Sequence, residues 1–150
     1  MPMDNEARNE EHFRKLERMY ATAPVNDYFR PVMRVGHGVA EVSIAARKDF
    51  HHAAHAVHGV VYFKLLDDAA FFAANSLVND VFVLTVSLNS CLLRPVTEGE
   101  MKATGRVVHQ SKSLIIADAE VFDAEGRQLA RGTGTFMRSR TALSPGIGYA

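Results

Sequence analysis

Residues 51–75 read HHAAHAVHGVVYFKLLDDAAFFAAN. Four histidines within eight residues lead into a His58-Gly59 step. Beyond it lies an apolar run too long for an ordinary strand, broken only by Lys64, Asp67 and Asp68. Apolar residues recur on almost every side of a 3.6-residue period, which predicts a buried helix rather than an amphipathic surface one. The helix is expected to start near residues 57–59 and to end near 74–77, with Asn75 as terminator. A carboxylate inside such a helix is costly unless it is paired, hydrogen-bonded or open to a cavity. Asp67 and Asp68 therefore mark the first place to look for chemistry.

The flanks of the helix set the fold class. Residues 1–23 carry Phe13, Leu16, Met19 and Tyr20 at helical spacing, and Pro24 closes that segment. Residues 26–34 show no period and read as a connection anchored by Tyr28 and Phe29. Residues 39–46 alternate as a strand. After the long helix, strands are expected over 82–92, 101–109, 114–122 and 128–137. Turns are expected at 95–100 and 123–126, and Gly132 and Gly134 stand where a side chain would obstruct a neighbour. The expectation is an α+β domain over 35–138, with a long helix covered by five antiparallel strands, preceded by a helix and connection over 1–34 and followed by a flexible tail over 139–150. The helix's remaining apolar faces call for a second subunit.

Composition narrows the classes. Lys plus Arg and Asp plus Glu number 17 each, for a formal charge of +0. Such a balance carries no electrostatic signal for nucleic acid or a membrane surface. Cys91 is the single cysteine, which fits a reducing cytoplasm better than a disulfide framework and places it in a core or an interface. The uncharged run 81–93 is too short to span a bilayer. No GxGxxG, GxxxxGK[ST] or GxSxG occurs, which removes support for dinucleotide, P-loop and hydrolase-elbow chemistry. His51, His52, His55 and His58 could supply imidazoles to a metal. They form no HExxH, however, and no metal or other cofactor is expected.

Three segments together carry a family resemblance: His58-Gly59-Val60 with Asp67 nine residues after the histidine; Leu92-Leu93-Arg94-Pro95 with Gly99; and Gly126 to Phe136, GRQLARGTGTF. In order and spacing the chain resembles the hotdog-fold acyl-CoA thioesterases, specifically the phenylacetic-acid-pathway (PaaI-like) group, over about residues 39–137. The resemblance implies a long central helix wrapped by a curved antiparallel sheet, in homodimers that often pair into tetramers, with active sites built from both subunits. It implies an aryl or medium-chain acyl-CoA substrate. Gly59 then offers a backbone N–H to the thioester oxygen, and Asp67 of the opposite subunit serves as general base or nucleophile. Val60 stands where the pattern has a second glycine and crowds the acyl channel. His52 stands where relatives often carry Asn or Gln to orient water or the carbonyl. His58 is expected to bond a loop carbonyl or a carboxylate at the helix start, or to touch substrate. Thr85, Ser87 and Asn89 read as alternating on one strand face, with Ser87 and Asn89 as substrate contacts. Arg94 and Lys112 are candidates for CoA phosphate, as is Arg138. Two other functions stay open on the same fold: non-catalytic acyl-CoA binding, and enoyl-CoA hydration or dehydration.

Overall fold

The computed structural model describes residues 2–150, with side chains from residue 5 onward. Helix α1 (Pro2–Thr22) and a short helix α2 (Asn26–Phe29) precede a hairpin of β1 (Val32–Gly36) and β2 (Val39–Ala46). The long helix α3 (Gly59–Asn75) follows, and then β3 (Val81–Leu92), β4 (Gly99–Gln110), β5 (Ile115–Phe122) and β6 (Gln128–Ala142). All pairings are antiparallel, in the order β1-β2-β4-β5-β6-β3, so β1 and β3 are the sheet edges. The sheet curves around α3, which touches all six strands. Leu65, Leu66, Ala69, Ala70, Ala73 and Ala74 of α3 are wholly buried.

Beneath the alanines of α3, β4 passes close by. A Cβ on Gly105 would overlap the Ala69 carbonyl and lie 2.7 Å from the Ala70 nitrogen. Only glycine permits this approach of strand to helix backbone. Gly132 and Gly134 obstruct as expected: a Cβ would meet the Asn89 oxygen at 2.5 Å and the Phe136 ring at 2.6 Å, respectively.

Three expectations need correcting. The sheet has six strands, because 32–36 pairs with β2 rather than forming a connection. Only Met33 and Val35 of β1 turn inward, onto α1, whose Arg14 donates to the Val35 carbonyl at 2.7 Å. The boundary at 138 does not hold, because the ladder with β3 carries β6 on to Ala142. The residues after Ala142, expected to fray, return to α1: the Tyr149 hydroxyl donates to His12 Nδ1 at 2.7 Å, and Arg18 Nε bonds the Ala150 carbonyl.

His12 is buried and its Nε2 donates to the Asn75 carbonyl at 2.9 Å, at the end of α3. Asn75 in turn donates to the Val78 and Val81 carbonyls and accepts from Val83 N–H, so it ends the helix and fastens β3. Burial pulls the His12 pKa below its usual 6.5, against the opposing hydrogen bond to Asn75. The unfolded chain then binds the proton more readily than the folded one. Stability is fully present above about pH 6.5 and is lost as pH falls toward the folded pKa. Melting temperature is expected to rise between pH 5 and pH 7, and His12→Gln to flatten that rise; equal slopes in the two proteins would contradict it.

Candidate active site

The histidine-rich segment forms a tight turn before α3. His52 N–H donates to the Ala56 carbonyl, His55 adopts a left-handed φ of 64°, and His58 N–H donates to the Phe50 carbonyl. His58 caps the helix. Its Nδ1 accepts from Val60 N–H at 2.9 Å, rather than bonding the loop carbonyl or carboxylate expected of it. Val61 N–H donates to the His58 carbonyl at 3.1 Å. Among the described residues, Gly59 N–H has no acceptor, so it is the free donor of this turn. A Cβ on Gly59 would stand 3.0 Å from Leu92 Cδ1, which ties this end of the helix to the far end of β3. A cavity of about 270 Å³ opens here, walled by His52, Gly59, Tyr62, Leu92 and Arg94 among others. Tyr62 crosses it to donate to the Arg94 carbonyl at 2.8 Å.

Eight residues further along α3, about 12 Å at the usual helical rise, Asp67 faces a different cavity. This one measures about 250 Å³ and is lined by Tyr20, Phe71, Phe72, Phe82 and Thr85, with Lys64 and Asp68 at its polar side. Asp67 accepts from Thr85 Oγ1 at 2.9 Å. Burial pushes its pKa above the usual 3.8; the Asp68 charge adds to this, while the Thr85 hydrogen bond and Lys64 oppose it. Asp68 is committed elsewhere. It accepts from the Tyr20 hydroxyl of α1 and pairs with Lys64 Nζ at 2.7 Å. Neighbouring helix positions point about 100° apart, which is why one aspartate keeps a cavity while the other secures α1.

Ser87 and Asn89 are placed differently from the expectation. Thr85 pairs with Phe136 and Ser87 with Thr135, so Val86 is an extra residue, a β-bulge. The bulge reverses the alternation beyond it. By register, Leu88 and Ser90, paired with Gly134 and Gly132, share the inward face with Thr85, although Ser90 is itself exposed near the strand's end; Ser87, Asn89 and Cys91 are exposed on the outer face. Val60 is 51% exposed. Lys112 lies at the opposite end of α3 from Arg94, beside a cavity walled by Leu77, Val78 and Arg138; Arg138 pairs with Asp80. One chain thus gathers His52, His58, Gly59 and Arg94 at one end of the helix, with the two imidazole rings 6.5 Å apart. Asp67 lies mid-helix and Lys112 at the far end. Sequence reasoning missed Thr85 as the partner of Asp67, and Tyr62 and Tyr20 as cavity walls. Tyr62 is on the same helix as Gly59, three residues on, and that spacing was the available signal.

The histidines do not converge. His51 Nε2 donates to the Thr97 carbonyl and His52 Nδ1 accepts from Ala54 N–H. Among the described residues, no three His, Cys, Asp or Glu side chains gather as a metal site would require. No helix there is long and apolar enough to cross a membrane.

Residues 54–130, from the turn before α3 through the start of β6, match the model of the thioesterase superfamily. The chain belongs to the thioesterase superfamily. A Saccharolobus solfataricus protein named "Putative esterase SSO2140" is 24% identical over 134 residues, covering 89% of this chain and 92% of its own. The structure of Escherichia coli PaaI, from the phenylacetic acid degradation operon, superposes with a TM-score of 0.82 at 20% identity, over 91% of this chain and 99% of that one. Staphylococcus aureus SAV0944, a thioesterase, superposes at 0.73 with 16% identity over 77% and 98%. It has been solved with a glutamine or a glutamate, fifteen residues apart, replaced by alanine. These superpositions establish the hotdog fold: a long helix wrapped by a curved antiparallel sheet.

Proposed function

We propose that this thioesterase-superfamily chain hydrolyses acyl-CoA thioesters, of aryl or medium-chain acyl groups, in a site completed by a second copy of itself. The observation that carries the reading is the carboxylate of Asp67. It is half-buried, raised in pKa and fixed by Thr85 in an aromatic cavity, while its neighbour Asp68 is tied off. The E. coli PaaI superposition supports a place in the PaaI-like group. His52 and Asp67 are also fifteen residues apart, the separation of the two substituted positions in the S. aureus thioesterase.

The free edge of the sheet explains why Gly59 and Asp67 need not meet within one chain. Strand β3 has an unpaired side, with Leu84 and Val86 exposed on it. Such an edge pairs readily with another strand. Antiparallel pairing of two copies about Asn89, with Val86 bulged out of the count, sets Leu92 of each opposite Thr85 of the other. Gly59 sits against Leu92, and Asp67 is bonded to Thr85. The pairing therefore brings the free N–H of one copy to the carboxylate of the other, and makes the protein a dimer or a dimer of dimers.

In that site the thioester oxygen accepts from Gly59 N–H, which stabilises the charge that develops there. Ionised Asp67 either takes a proton from the attacking water or attacks the carbonyl carbon itself. In both routes the carbon–sulfur bond breaks: in the first the proton taken up by Asp67 passes to the departing CoA sulfur, and in the second water then hydrolyses the acyl–aspartyl anhydride, which frees the acid, restores Asp67 and supplies the proton of the CoA thiol. Transfer of oxygen-18 from water into Asp67 during a single turnover separates the nucleophile from the base. His52 lines the mouth of the Gly59 cavity, and in the proposed reaction it orients water in the role that Asn or Gln would fill.

Arg94 is exposed at the same mouth, and among the described residues its side chain has no carboxylate partner. Contact with a CoA phosphate suits it. Arg94→Ala is expected to raise KM for acyl-CoA about threefold to tenfold with kcat nearly unchanged, and to weaken the salt dependence of kcat/KM. A fall in kcat at constant KM would contradict this role. The function itself is tested by free-thiol release from a panel of acyl-CoAs. Tight binding without thiol release would make the protein a non-catalytic binder. Water addition to an enoyl-CoA without thiol release would make it a hydratase.

A further inference from the structure

We infer that the acyl site has two compartments, and that the outer one, formed by the end of α1 and the residues that follow β6, sets the acyl length this protein accepts. The inference rests on the thioester reading above, since the inner compartment is the Asp67 cavity. The outer one is a cavity of about 640 Å³ whose walls include Pro24, Leu84, Thr141 and Ile147. Met19, Ala23 and Phe82 belong to the walls of both, so the two adjoin along these three residues.

The lining dictates the occupant. Among the described residues, no charged side chain borders the outer cavity; its surface is Met, Ala, Pro, Phe, Leu, Ile, threonine and glycine backbone. The inner cavity holds the charged groups of the pair, Asp67, Asp68 and Lys64, beside Thr85, Tyr20 and Asn26, whereas the outer one has only the Thr22 and Thr141 hydroxyls as polar side chains. A molecule lying across both therefore has its polar end inside and a hydrocarbon end outside, as an acyl thioester with its carbonyl at Asp67 would. An apolar cavity of about 150 Å³ already takes a benzene ring. The inner compartment alone thus admits a ring or a short chain, and the outer one adds room for a longer alkyl group. Phe82 stands at the junction, its ring packed on Phe71 with centroids 5.0 Å apart. Met19, Ala23, Pro24, Thr141 and Ile147 all lie outside the segment that matches the superfamily model. The length preference therefore rests on residues outside that segment.

The test uses binding as well as turnover. Non-hydrolysable S-alkyl-CoA thioethers, from butyl to dodecyl, are titrated calorimetrically into the full-length protein. Affinity is expected to rise roughly twofold to fourfold per added methylene, the range set by burial of a CH₂ group. Ile147→Trp, which fills the outer compartment alone, is expected to flatten that rise beyond the shorter chains. It should also lower the ratio of kcat/KM for decanoyl-CoA to butyryl-CoA about tenfold or more. Thr141→Trp fills the same space from β6 and guards against a folding defect peculiar to the tail. Affinity that does not grow with chain length, or a chain-length series unchanged in both variants, overturns the inference. An intact series with no thiol release from any acyl-CoA upholds the compartment and sinks only the thioesterase reading.

Discussion

Replacing Asp67 by asparagine is expected to lower kcat/KM for acyl-CoA hydrolysis by about a thousandfold or more while the protein melts at a higher temperature than the parent. The loss of rate follows from removing the charge that, in the proposed mechanism, drives water or itself onto the carbonyl. The gain in stability follows from the sign of the pKa shift. Burial raises Asp67 above 3.8, so the folded state holds the proton more tightly than the unfolded one. Ionisation is therefore a cost to folding that grows as pH rises from the unfolded pKa through the folded one, and it is complete above both. Asparagine keeps a carbonyl to accept from Thr85 Oγ1 and never carries the charge. The parent's rate should climb with pH through a pKa above the ordinary carboxylate value. Steady-state thiol release across pH 4–8, with thermal melts of both proteins, checks all three statements. Unaltered turnover in the variant would remove Asp67 from the chemistry.

Gly105→Ala is expected to be the most damaging single-methyl substitution in the molecule. The added carbon would overlap the Ala69 carbonyl and press on the Ala70 nitrogen. These are backbone atoms in the middle of a buried helix, so no rotamer change relieves them. The sheet would have to lift from α3 where four of the helix's buried alanines lie against it. A cost of at least about 3 kcal/mol is expected, out of a total stability on the order of 5–15 kcal/mol for a domain of this size. Urea denaturation should show the midpoint falling with little change in slope. A midpoint within experimental scatter of the parent would mean that strand and helix are not held this close in solution.

What the residues disclosed, and what they hid, divides by the range of the interaction. Helix α3 was legible because its signal is local: an apolar period unbroken on all sides, a His-Gly entry and an asparagine at the end. The separation of Asp67 from Asp68 was legible for the same reason, since adjacent helix positions diverge whatever surrounds them. Strand β1 was not. It is five residues long, follows Pro31, carries Arg34, and turns only Met33 and Val35 inward, so no alternation stands out over its length. Tyr20 as the partner of Asp68 was hidden because 48 residues separate them and only tertiary packing joins them. His58 was expected at the helix mouth, yet its bond to Val60 N–H was not foreseen. That single bond decides which of two adjacent donors is free. In β3, the run LTVSLN over 84–89 reads as alternation, which sets Thr85, Ser87 and Asn89 on one face. A bulge at valine leaves no mark in residue type.

That bulge bears on how relatives should be aligned. A hotdog protein whose corresponding strand is regular carries one residue fewer between the positions of Thr85 and Ser87. Its inward residues past that point match Leu88 and Ser90 only after a gap is opened at Val86. An ungapped column would set outward side chains against inward ones for the rest of the strand, and any cavity wall transferred across it would be read from the wrong face.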